Sequence, residues 1–314
     1  MSFVTRREFC RVGAGSVVTI GSGLSLLANS RDTSTCTLGY STYALPNLGA
    51  IEAISFIRSL GFDSIEFTIT ADRSMAPERI ADEDRSKVAA HLKLHQLQVT
   101  ALMENLRPME TPERHVADCQ RLERGCALAT ALRPDAPPLI QTVMGGGDWS
   151  QRRQLCLERV RDWLKIAEKH RVVIGIKPHR GHAMSKPEDA IWLIEKLGNP
   201  PWIRMVFDYS HFVFRDMPMP ELIRQSLPYT SHIAVKDAEL HDGKVQFSLP
   251  GESKTIDYVD LLKRFYGGGY RGDVCVEVSA QVWKKAGYKP KPTAKICYRN
   301  LQRAFVDAMI ERPN

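Results

Sequence analysis

Six short β-branched runs in this sequence carry an ionisable side chain at or just past their C-terminal ends. Glu66 lies in Ser64–Phe67, Glu104 follows Val99–Met103, and Lys177-Pro178-His179 follows Val172–Ile176. Asp208-Tyr209-Ser210-His211 follows Ile203–Phe207, Lys236-Asp237 follows His232–Val235, and Glu277 lies in Val274–Val278. Carboxylates and imidazoles suit proton transfer, and an ammonium suits stabilisation of a developing oxyanion. A Glu or Lys at one strand end is ordinarily a solvated or ion-paired loop residue. Six strands doing the same thing point instead to a site, because a purely structural scaffold gains little from so much desolvated charge.

Such a convergence requires parallel strands whose ends meet. Thr37–Tyr40 and Leu139–Val143 complete a set of eight strand candidates over roughly 270 residues. Amphipathic helices alternate with them, among them Ile51–Leu60, Gln151–Lys169, Pro187–Leu197 and Tyr258–Phe265. Gly61, Gly198 and Gly267 stand just past helix ends, where a left-handed cap tolerates no Cβ. Eight such beats predict a single (β/α)₈ barrel, which gathers its reactive groups at the C-terminal ends of the strands. A doubly wound open sheet is the competing architecture, but no G-x-G-x-x-G follows the first strand. Gly145-Gly146-Gly147 lacks the Lys-Ser/Thr of a phosphate-binding P-loop. The polar stretch Glu239–Pro250 alternates over Lys244–Leu249, which predicts a hairpin inserted after the seventh strand.

The 314 residues are of ordinary globular composition, 43% hydrophobic and 25% charged, which excludes fibrous and disordered classes. Lys and Arg number 43 against 36 Asp and Glu, a net charge of +7 too small and too dispersed to indicate nucleic acid. Six cysteines beyond Cys10 are scattered, with no C-x-x-C pair to indicate a zinc site or a thioredoxin-like motif; buried inert thiols are expected. At the start, Arg6-Arg7-x-Phe9 precedes an apolar, Gly/Ser-rich run from Val12 to Ala28. This resembles a twin-arginine export signal over residues 1–30, with the barrel over 31–314 and a periplasmic or other extracytoplasmic destination. A buried N-terminal helix with a fortuitous Arg pair is the alternative. No membrane partner is expected once the signal is removed.

The stretches Phe207-Asp208-Tyr209-Ser210-His211-Phe212, Val235-Lys236-Asp237, Leu249-Pro250-Gly251-Glu252 and Val276-Glu277-Val278-Ser279 resemble the xylose-isomerase-like TIM-barrel proteins. The family hosts sugar isomerases, epimerases, lyases and an endonuclease branch. Its members typically hold Mn²⁺ or Mg²⁺ through two Glu, one Asp and one His at strand ends. Carried over residue by residue, Asp208 and Glu277 match two metal ligands. Lys177 stands where the fifth strand should end in Glu, and Ala234 stands where the seventh should offer His. His232 shares the Ala234 face, roughly 6–7 Å deeper by strand rise. An ammonium beside Asp208 and Glu277 occupies the space and charge a divalent ion requires, so Lys177 is expected to replace the metal. Ligation through Glu104, His179 or His211 is the alternative.

The resemblance and the residues together imply a carbohydrate enzyme that abstracts a proton next to a carbonyl. Glu277 or Asp208 is the candidate base, Lys177 the oxyanion stabiliser, and His211 a proton shuttle. Glu66, Glu104, His179, Lys236 and Trp283 are candidate substrate-binding residues, Trp283 by stacking against a sugar C–H face. The cationic run Trp283-Lys284-Lys285 to Lys295 is read as a positive lip on the mouth or as a solvated face. A non-catalytic carbohydrate-binding barrel and a metal-independent sugar lyase are the alternatives. The endonuclease branch needs a His-rich multi-metal cluster, which this chain lacks.

Overall fold

The structure is a computed structural model and describes residues 35–313. The export-signal reading of residues 1–30 lies outside these residues. Eight parallel strands close into a barrel: β1 (Thr37–Ser41), β2 (Ser64–Thr68), β3 (Gln98–Met103), β4 (Leu139–Thr142), β5 (Ile174–Ile176), β6 (Ile203–Phe207), β7 (Thr230–Val235) and β10 (Asp273–Val276). Each pairs with its neighbours in sequence, and β10 returns to β1 through Leu38↔Val274 and Gly39↔Cys275. The remaining strands, β8 (Asp237–His241) and β9 (Lys244–Ser248), form the hairpin expected after the seventh barrel strand. Its turn is Asp242-Gly243, both at positive φ (48° and 72°), the backbone an Asp-Gly hairpin turn adopts.

Strand alternation divides the barrel into two environments. Outward residues such as Ile65, Phe67, Ile174, Phe207 and Val276 are fully buried against the helices. The helices are α1 (Ala50–Leu60), α2 (Asp82–Leu94), α3 (Pro112–Leu132), α4 (Trp149–His170), α5 (Pro187–Lys196), α6 (Met219–Ser226), α7 (Tyr258–Gly267), α8 (Ala280–Trp283) and α9 (Pro290–Ala308). Their starts are written locally. Thr111 accepts from Arg114 N at 3.2 Å with Pro112 opening α3, Asp148 caps α4 through Gln151 N at 3.2 Å, and Asp257 caps α7 through Asp260 N at 3.0 Å. No helix among the described residues is long and apolar enough to cross a membrane.

The inward faces are unusually polar. Asp273, at the base of β10, accepts from Thr37 Oγ1 (2.5 Å), Ser64 Oγ (2.5 Å) and Thr100 Oγ1 (2.8 Å). β1, β2 and β3 are thereby tied to β10 inside the bore.

One segment departs from the sequence reading, and a second settles on one of its two alternatives. Val172 is not part of β5: Arg171 adopts the left-handed conformation past α4, and Val172 N bonds back to Ala167 O at 3.1 Å. The cationic run 284–295 takes the solvated-face alternative, with all five of its lysines exposed. It leads into α9, where Lys291 lies 3.7 Å from Glu52 and 5.6 Å over the Phe56 ring, both on α1.

Candidate active site

Besides β3, which ends at Met103 before Glu104, four of the barrel's strands stop one residue before a charge: Ile176 before Lys177, Phe207 before Asp208, Val235 before Lys236 and Val276 before Glu277. The backbone ladder continues through two of these positions, Lys177 N to Thr142 O at 2.9 Å and Glu277 N to Val235 O at 3.1 Å, so strand geometry aims the side chains into the bore. Beneath Lys177, a Cβ on Gly175 would come within 2.7 Å of Val206 Cγ2, so glycine is what fits there.

The four charges form a closed ring. The Lys177 ammonium donates to Glu277 Oε2 and lies 4.0 Å from Asp208 Oδ2. The Lys236 ammonium donates to Asp208 Oδ2 and, at 3.0 Å, to Glu277 Oε1. Asp208 Oδ1 also accepts from Ser210 Oγ at 2.6 Å and from Ser210 N at 3.2 Å. Solvent reaches little of this; Lys177 is 5%, Asp208 0%, Lys236 2% and Glu277 8% exposed. Burial opposes ionisation of both carboxyls, yet Lys236 and His211 hold Asp208 well below the usual carboxylate range. Burial likewise yields at Glu277 to Lys177 and Lys236, which bring it down to about 2. The same carboxylates, working against burial, keep the Lys236 ammonium above an ordinary lysine.

Around the ring stand neutral imidazoles. Burial above all lowers His211 to about 4 and His179, with help from His211 and His182, to about 2. His211 Nε2 lies 3.4 Å from Asp208 Oδ2, and the His179 and His211 ring centroids are 4.0 Å apart. The hairpin brings Phe247 over this group, 5.5 Å from the His211 ring and 5.6 Å from Lys236 Nζ. Its root is fixed: Asp237 accepts from Tyr258 OH (2.7 Å), Ser253 Oγ (2.9 Å) and Ser253 N (3.0 Å). A cavity of about 170 Å³ opens onto Lys177, Glu277, His179, Glu104, Asn105 and Tyr43.

The ring assembles Lys177, Asp208, Glu277, His211 and Lys236, with His179 beside it. Three sequence expectations change. Glu66 is not at the rim; it sits mid-strand inside the bore with 0% exposure, accepting from Gln141 Nε2. Trp283 does not line the cavity. Its indole meets the Arg73 guanidinium at 5.4 Å and the Tyr43 ring edge-on at 5.3 Å. Glu104 does reach the cavity, but both oxygens are engaged, by Arg121 Nε at 2.5 Å and Asn105 N at 2.8 Å. Tyr43, Asn105 and Gln141 were missed by the sequence reading; Gln141 alone carried a signal, as a polar residue inside an otherwise apolar run.

A divalent ion at the family's position does not fit these residues. Two carboxylates are already neutralised by two ammoniums, and Ala234 brings no donor. At ~4 Å and an effective dielectric near 20, each ammonium opposes a dication by about 8 kcal/mol, cancelling one carboxylate's attraction.

No curated protein matches the chain. Among solved structures it is similar to the probable 3-DHS dehydratase AsbF of Bacillus anthracis, with 14% identity over 85% of this chain and 98% of that one and a TM-score of 0.70. The 3-keto-D-glucoside 4-epimerase YcjR of E. coli gives 14% identity, 87% and 100% coverage and a TM-score of 0.67. A xylose isomerase-like TIM barrel protein from Mycobacterium smegmatis in complex with magnesium gives 16%, 87%, 97% and 0.67. Residues 54–295 match the family described as xylose isomerase-like TIM barrel, and with its closed eight-stranded barrel the chain belongs to that family.

Proposed function

We propose that the protein is an enzyme acting on a free sugar or sugar derivative, removing a proton from the carbon beside a carbonyl without a metal at the strand ends. The observation that carries this reading is the ammonium pair, Lys177 and Lys236, shared between Asp208 and Glu277. Glu277 is the base in preference to Asp208, because it lines the cavity while Asp208 is fully enclosed. As Glu277 takes the proton, the C–H electrons move into the adjacent C=O and form an enediolate. Lys177 then turns from Glu277 Oε2 to the new oxyanion, an interaction of the kind worth about 2.7–4 kcal/mol. Return of the proton to the neighbouring carbon, with the hydroxyl proton passing from one enediolate oxygen to the other, isomerises the sugar, and return to the opposite face of the original carbon epimerises it. Neutral His179 and His211 bind hydroxyls or relay that proton.

The probable dehydratase and the epimerase among the structural neighbours support this class of chemistry. Export through the N-terminal twin-arginine-type segment belongs to the same proposal, which favours free over phosphorylated sugars. A reporter fused to residues 1–30 that stays in the cytoplasm would remove that part. For the chemistry, the protein is incubated in D₂O with a panel of keto- and aldo-sugars. Deuterium is expected at the carbon beside the carbonyl, and Glu277→Gln is expected to abolish it. Full exchange by that variant sinks the assignment of the base. Sugar binding without exchange by the parent protein supports the non-catalytic alternative.

A further inference from the structure

Deeper in the bore than the charged ring, Glu66 on β2, His232 on β7 and Cys275 on β10 each offer a ligand atom, all within 4.8 Å of one another. All three side chains are buried, at 0%, 1% and 1% exposure. Glu66 Oε1, both ring nitrogens of His232 and the neighbouring Gln141 Oε1 have no hydrogen-bond partner. Buried polar atoms are ordinarily paired, and four orphans in one small volume call for an occupant. We propose that this cluster is a second, inner site for a borderline-soft divalent metal of the zinc type, distinct from the ring of Lys177, Asp208, Lys236 and Glu277.

The donor set selects the metal. Thiolate and imidazole with one carboxylate suit Zn²⁺ or Co²⁺, whereas Mg²⁺ prefers oxygen donors. Tetrahedral bonds of 2.0–2.3 Å place ligand atoms roughly 3.3–3.8 Å apart. Glu66 Oε2 and His232 Nε2 are already 3.8 Å apart and all the ligand atoms lie within 4.8 Å of one another, so the cluster needs only a modest inward movement. Charge also balances. The Glu66 carboxyl and the Cys275 thiol release their protons to solvent, and the resulting two anions offset the two positive charges of the metal.

An outer layer of support is present. His232 Nδ1 faces Asp273 Oδ2 at 3.8 Å, and Asp273 is gripped by the hydroxyls of Thr37, Ser64 and Thr100. A carboxylate behind the remote nitrogen of a ligating histidine fixes its tautomer and leaves the other nitrogen free for the metal. Gln141 does the same for Glu66 and also lines the cavity, connecting the inner site to its mouth. The cysteine spacing gives no hint of such a site because its three ligands come from strands that meet only when the barrel closes.

The test expresses the full chain in minimal medium supplied with cobalt, so that metal enters during folding. Metal content and the near-ultraviolet absorption of the purified protein are then measured. The expected result is about one cobalt per chain with a thiolate-to-cobalt charge-transfer band. Cys275→Ser is expected to lose the band and to weaken metal retention at least about tenfold. Glu277→Gln is expected to keep both. Folded parent protein without cobalt, or cobalt bound without the thiolate band, overturns the inner site, and either result stands even if Cys275→Ser fails to fold. Loss of metal from Glu277→Gln with retention by Cys275→Ser moves the ion to the charged ring and overturns it equally.

Discussion

The bore of this barrel holds two polar layers that solve the burial of charge in opposite ways. In the outer layer, Lys236, Asp208 and Glu277 stay ionised because each faces an opposite charge, and Lys177 stands against both carboxylates. In the inner layer, burial and then the neighbouring Glu277 raise the Glu66 carboxyl to about 8, so the protein alone keeps it protonated at neutral pH. Mutual pairing makes the outer layer intolerant of losing any one member. Neutralisation in the inner layer leaves atoms without partners and makes isosteric replacement cheap. Two positions along the chain at β10, Cys275 to Glu277, and four at β7, His232 to Lys236, thus separate a tightly compensated region from one with unmet bonding capacity.

The largest effect should come from breaking the outer compensation. Asp208→Asn leaves Lys236 with a diminished partner, and removing one side of a buried pair typically costs 3–5 kcal/mol. Urea unfolding is expected to show a loss of about that size, and Asp208→Asn with Lys236→Met is expected to recover much of it. Strict additivity of the two changes would show that the ring is not a coupled unit. Next comes Lys177→Met, expected to slow deuterium exchange into the active sugar by about 10²–10³-fold, the scale of one lost oxyanion donor. An unchanged rate would remove the ammonium from the mechanism while leaving the ring as a structural feature.

A smaller effect concerns His211, whose folded value of about 4 lies below the ordinary histidine value near 6.5. Between those values the unfolded chain binds more protons than the folded one, so stability is lost as pH falls from about 6.5 towards 4. The melting temperature should drop across that window, and His211→Asn should flatten the drop by an amount equivalent to about 1–2 kcal/mol at pH 5. An identical pH profile in the variant would place the acid sensitivity elsewhere. The smallest effect is expected from Glu66→Gln in metal-free protein at pH 6, within about 0.5 kcal/mol of the parent by urea unfolding, since one neutral group replaces another. A loss several times larger would mean that Glu66 is ionised and that the two layers do not differ as described.

Much of the outer layer was legible in the sequence because strand ends are local features. Phe207-Asp208 and Val235-Lys236 announce a β-branched or aromatic run stopping at a charge, and the barrel rule supplies the convergence. Lys177 in the place of a ligand was visible for the same reason. The inner layer was not legible. Glu66, His232 and Cys275 are separated by more than forty residues at each step, and only strand register makes them neighbours. Glu66 was misplaced at the rim because β2 continues through Thr68, two residues beyond it. Trp283 was misread because an aromatic near a mouth looks available until Arg73, some 210 residues earlier, occupies its face. The lysine-rich run 284–295 left two readings open for a related reason: charge density gives no direction until the start of α9 fixes it against α1.

The anchoring of Asp237 by Tyr258 and Ser253 has a consequence for how such a protein diversifies. The residue stands directly after Lys236 and at the foot of the two-stranded arm, so any strain introduced farther out stops at this clamp. Lengthening, shortening or rewriting the segment that carries Phe247 would reshape the entrance and leave the ammonium next door in register. The arm is therefore a replaceable module, which can be rewritten while the charged ring is inherited intact.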